Sequence, residues 1–109
     1  MHDYIVNMSR TFPCNASTTA NTITLTLLSV QPQVNLYCSY DTYGFVADVT
    51  STGNVSALVV TETGTLATLN VYKTNGSARA GSGDVTTGLH YFATYVDSLN
   101  SGAGGFVLR

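Results

Sequence analysis

Two histidines, six carboxylates, two cysteines and seven tyrosines are the side chains with which this chain could do chemistry. Histidine is the general base suited to neutral pH. His2 stands beside the first residue, and His90 alternates with Leu89 and Tyr91, opposite the more apolar face of its strand. As a metal ligand His90 would need partners, and only His2 remains as a second imidazole, so a surface or subunit-contact role fits better. A Ser-His-Asp triad could be composed from His90 with Asp84 or Asp97, since geometry alone decides such sets. No Gly-x-Ser-x-Gly elbow is present, and Gly81-Ser82-Gly83 lacks the strand-to-helix setting that exposes such a serine. Asp3, Asp41, Asp48, Glu62, Asp84 and Asp97 lie mostly in or beside turn-like stretches, where Asp commonly bonds its own backbone. Asp84 and Asp97 flank the segment 89–96 at opposite ends, too far apart for the paired carboxylates of a glycosidase. A calcium ion held by a loop stays open. No Cys-x-x-Cys, Cys/His cluster or His-Glu-x-x-His occurs, so neither a zinc site nor any cofactor is expected, and the chain reads as a non-enzyme.

Cys14 and Cys38 allow one intramolecular bridge, and a disulfide or two buried thiols fit the sequence equally. The tyrosines could form a carbohydrate platform or a protein interface, because each offers flat apolar area and a hydroxyl. With no Trp in the chain, the interface is the stronger of those two, and completing the core rim is the plainest use. Tyr37, Tyr40, Tyr43 and His90 are the candidate subunit or ligand contacts. Four Asn-x-Ser sequons, at Asn7, Asn15, Asn54 and Asn75, are expected by chance in so Ser- and Asn-rich a chain.

The elements that must position these groups are strands. The chain has 109 residues, of which 9% are charged, well below the roughly 25% usual in soluble domains. Seventeen threonines and ten serines supply the polarity instead. A net charge of −2 leaves no electrostatic footprint for nucleic acid or for an anionic membrane surface. No apolar run approaches the roughly 20 residues of a spanning helix. The length suits one core, so residues 1–109 read as a single domain.

Alternation with period two recurs throughout. It predicts strands over 4–8 (an edge), 21–30, 34–40, 45–50, 55–62, 65–73, 89–96 and 105–109. Thr11 to Ser17 reads as a breaker segment because Pro13 cannot donate to a ladder. Turns are expected at 41–44, 51–54, 63–64, 75–76 and 97–104, and a loop over 77–88. In the segment 45–50, Phe45, Ala47 and Val49 are expected inward; the segment 89–96 reads as a central strand covered on both faces. Seven to eight short strands without helical periodicity predict an all-β, antiparallel β-sandwich, either jelly-roll or immunoglobulin-like.

Two resemblances bear on function. Thr87-Gly88-Leu89-His90-Tyr91-Phe92, followed by Gly102-Ala103-Gly104-Gly105-Phe106-Val107-Leu108, resembles the last hairpin of bacterial pre-peptidase C-terminal domains. That implies hairpin geometry only, because the family's acidic Asp-x-Asp strand has no counterpart in Val34-Asn35-Leu36-Tyr37. Phe12-Pro13-Cys14-Asn15-Ala16-Ser17-Thr18-Thr19-Ala20, running into Ile23-Thr24-Leu25, is similar to the loop entering an alternating strand in small accessory proteins of tailed-phage virions. Met1 leads into His2-Asp3-Tyr4 without a basic or apolar leader, which fits assembly inside a host cell. The expectation is a virion structural protein, a capsid decoration, cement or appendage subunit, that contacts copies of itself or a capsid protein as a homo-oligomer. The alternative is an accessory carbohydrate- or surface-binding module of a secreted protein.

Overall fold

The computed structural model describes residues 11–28, 37–61, 64–73 and 78–109. Its strands are β1 (Thr11–Thr19), β2 (Thr22–Leu27), β3 (Thr42–Val46), β4 (Ser56–Thr61), β5 (Gly64–Thr65), β6 (Leu69–Tyr72), β7 (His90–Val96) and β8 (Gly105–Leu108). One 3₁₀ turn covers Asn100–Gly102, and no α-helix occurs among the described residues. The all-β expectation holds.

The antiparallel sandwich does not. The strands pair in the order β2-β1-β3-β7-β8-β6-β4-β5, and β2 pairs with β4 as well, which closes seven of them into a ring. A closed ring with an odd number of strands cannot alternate in direction all the way round. At least one joint must be parallel, and here three are: β1–β3, β2–β4 and β6–β8. The result is a mixed-sheet barrel, with β5 appended outside the ring.

The alternation Ile23, Leu25, Leu27 faces the interior as expected, with Ile23 and Leu25 fully buried. Phe106 and Leu108 of β8 and Val55, Ala57 and Val59 of the β4 region join them. Aromatic rings fill the centre. Phe12 stacks on Tyr43 at 5.5 Å, Tyr43 meets Phe106 edge-on at 6.0 Å, and Tyr37 stacks on Tyr95 at 5.1 Å.

Several expectations fail for identifiable reasons. The supposed breaker around Pro13 is the longest strand, β1. Leu28 N–H donates to the Pro13 carbonyl at 3.5 Å, so the proline ring costs one rung at the end of β2 and nothing beyond it. The segment 41–44 is not a turn, since β3 already begins at Thr42; the reversal lies at Ser39–Tyr40, where Tyr40 takes a φ of 69°. Of the strand expected over 34–40, residues 37–40 form none. Val49 is 47% exposed instead of inward, because β3 ends at Val46 and the chain bends at Asp48 and Val49. Strand β7 is central in pairing but open on its outer face, with Phe92 about half exposed. The expected strand 4–8, residues 34–36 of the next expectation and the Asn75-Gly76 turn lie outside the described residues.

The strand expected over 65–73 is interrupted, and Tyr37 mends it. Partnering of β4 runs to β5 through Val60↔Thr65 and to β6 through Ala57↔Leu69; Leu66 N–H still donates to the Val59 carbonyl at 2.9 Å, and 67–68 then leave the ladder. The Tyr37 hydroxyl accepts from Val59 N–H at 3.2 Å and donates to the Ala67 carbonyl at 2.6 Å. A phenol thus stands in as one rung of a sheet. Burial raises the Tyr37 pKa to about 12, reinforced by Tyr95 nearby and opposed by the Val59 bond.

Two measurements follow from these local features. Ala20 and Asn21, at φ 51° and 65°, form the two-residue β1–β2 hairpin loop, a left-handed geometry that disfavours alanine. Ala20→Gly should therefore raise stability by about 0.5–1 kcal/mol in urea unfolding. Tyr37→Phe should cost about 1–3 kcal/mol, since it leaves the buried Val59 amide unpaired. Because the folded pKa of Tyr37 is raised above 10, its contribution is complete below pH 10 and lost as pH climbs towards 12. Thermal melts across that range should show an alkaline fall that is shallower in Tyr37→Phe.

Candidate functional site

Successive backbone groups on a strand point to alternate sides. In β1, the Leu28–Pro13 bond assigns Pro13, Asn15, Ser17 and Thr19 to the β2 side, which leaves Phe12, Cys14, Ala16 and Thr18 directed at β3. In β3, Ala47 N–H donates to Leu89 and Tyr95 N–H to Asp41, so the intervening Thr42, Gly44 and Val46 face β1. Parallel pairing between the two strands lasts only from Thr11↔Thr42 to Pro13↔Gly44. Past that point the strands splay, and among the described residues no ladder pair joins Ala16 to the backbone of Val46. At the far end the gap closes again. Thr18 donates its amide to Asp48 Oδ2 at 2.8 Å and its hydroxyl to Oδ1 at 2.6 Å.

A groove of about 300 Å³ opens where the strands part, lined by Pro13, Cys14, Phe45, Val46, His90 and Phe92 among others. Gly44 shapes its floor: a Cβ there would come within 3.0 Å of the Phe92 ring, which lies across the glycine. Phe92 and Val46 remain 48% and 44% exposed. The surface is apolar and carries one imidazole.

The candidate contact residues separate. Tyr43 is fully buried and so no outward contact, and Tyr37, partly buried, packs edge-on against it at 6.5 Å. Tyr40 is 61% exposed at the Tyr95 end of β7, where its amide donates to the Tyr95 carbonyl at 2.7 Å. His90 is exposed at the other end of β7, opposite Val46. The length of that strand, about 20 Å, divides His90 from Asp97. Asp84 is engaged elsewhere, accepting from Gly81 N–H at 2.7 Å and lying 3.7 Å from Lys73 Nζ. Cys14 and Cys38 are free thiols. Burial pushes the Cys14 thiol up to about 12, so it stays protonated and unreactive at neutral pH. Among the described residues no three His, Cys, Asp or Glu side chains converge as a metal site would require.

Phe92, Val46, Gly44 and the Thr18–Asp48 contact were not read from the sequence. The segment 89–96 reads from sequence as covered on both faces, which hides Phe92, and nothing local announces a bond spanning thirty residues. Comparison of the chain with protein-family models, with curated proteins and with solved structures finds no match to any of the three.

Asp48 supplies a pH test of the closure. Partial desolvation raises its pKa, but the Thr18 hydroxyl and amide, with the amides of Asp48 and Val49, outweigh this and hold it below the ordinary 3.8. A lowered folded pKa means that the contribution is present above 3.8 and is lost as pH falls through the folded value. Asp48→Asn should lower the urea midpoint at neutral pH and flatten the decline on acidification, which titration of stability against pH would read.

Proposed function

We propose that this chain is a non-enzymatic structural protein of a virion, a capsid decoration, cement or appendage subunit working through repeated protein–protein contacts. The observation that carries the reading is the outer surface around the β1–β3 opening. Phe92 and Val46 expose apolar area beside edges of β1 and β3 that, among the described residues, have stopped pairing, the two features that favour association over solvation. The interior supports it differently. Its aromatic centre is occupied by Tyr37, Tyr43, Tyr95 and Phe106 packed on one another, which leaves these three tyrosines committed to the core and not to a sugar platform. The hydroxyl-rich exterior, with Asn15, Ser17 and Thr19 on β1 opposite Thr26, Thr24 and Thr22 on β2, suits a polar contact face between assembled neighbours.

The test is association. The purified chain should sediment as a concentration-dependent oligomer and appear in many copies in purified particles. Phe92→Ser should weaken self-association by about ten-fold or more, with an unchanged melting temperature. A chain that stays monomeric at every concentration and never copurifies with a particle would refute the reading.

A further inference from the structure

We propose that the opening between β1 and β3 receives an extended strand from a second copy of the chain, and that the donated strand is Tyr4–Met8. This rests on the assembly reading above and names the contact that would carry it. The walls specify the chemistry of the guest. Ala16 on one side and Val46 on the other turn backbone amides and carbonyls towards the gap, and a peptide backbone matches such alternation. The floor specifies its side chains, since Cys14, Phe45 and Phe92 line the groove.

The donor is chosen by sequence and position. Ten residues precede Thr11, the head of β1 at the mouth of the opening. Within them Tyr4-Ile5-Val6-Asn7-Met8 would, when extended, present Tyr4, Val6 and Met8 on one face, and it contains no charge and no proline. Five extended residues span about 17 Å, which matches the five from Cys14 to Thr18. In the same copy, a hairpin through Ser9-Arg10 would have to displace β3 from Thr11–Pro13 to reach Ala16. A neighbour's segment meets no such obstacle. Admission has a cost: adjacent strands lie about 4.8 Å apart, so a guest requires roughly twice that spacing and the Thr18–Asp48 contact must part.

Complementation between two full-length variants tests this. Val6→Asp spoils the donor, and Val46→Pro spoils the acceptor at an edge position whose N–H faces the gap. Should Val46→Pro fail to fold by circular dichroism, Val46→Lys replaces it. Each variant alone should associate at least about ten-fold more weakly than the parent in sedimentation, and an equimolar mixture should recover a 1:1 pair. Undiminished association of Val6→Asp, or a mixture that stays monomeric while the parent associates, overturns the strand exchange and leaves the assembly reading standing. A parent chain that never associates overturns both.

Discussion

Seven strands closed on themselves cannot all run against their neighbours, and that parity governs this molecule. The direction conflict is taken up at three parallel joints, and two of them are short: three residue pairs for β1–β3 and two for β6–β8. The third, β2–β4, runs over five pairs. The groove at Pro13, Cys14, Val46 and Phe92 lies at the end of the short β1–β3 joint.

Interior and exterior solve the resulting gaps by different means. Where β5 and β6 lose contact with β4, a phenol from Tyr37 completes the ladder within the aromatic core. Where β1 loses β3, a carboxylate from Asp48 catches Thr18 at the surface. The first is part-buried at Val59, reaches the surface at Ala67 and is integral to packing; the second is exposed, and is correspondingly weak. A related device holds the segment 81–85: the buried Ser51 hydroxyl donates to Gly81 at 2.6 Å and accepts from Val85 N–H at 3.2 Å.

Much of the fold was legible because side-chain direction on a strand is a local property. Ile23 and Leu25, Phe106 and Leu108, and the run from Val55 announced their inward faces by alternation alone. Direction of pairing was not legible, since residue pattern does not encode whether a neighbour runs parallel. Pro13 misled because a missing donor matters only if a partner waits opposite, and β2 ends there. For the site, His90 was correctly set opposite the apolar face of β7, and Tyr40 proves exposed, but Tyr37 and Tyr43 turned inward. A tyrosine reads alike whether its hydroxyl meets solvent or replaces a sheet rung. The Thr18–Asp48 contact depends on a closed tertiary structure and has no local signature.

The protonated thiol of Cys14 has a use independent of any assembly. It sits at the fork of β1 and β3, shielded while the strands keep their places. A small alkylating reagent would therefore modify it at a rate set by the fraction of time the fork stands open, provided closing outruns the chemistry. The native chain thus carries its own gauge of local opening, readable by mass spectrometry without an engineered cysteine.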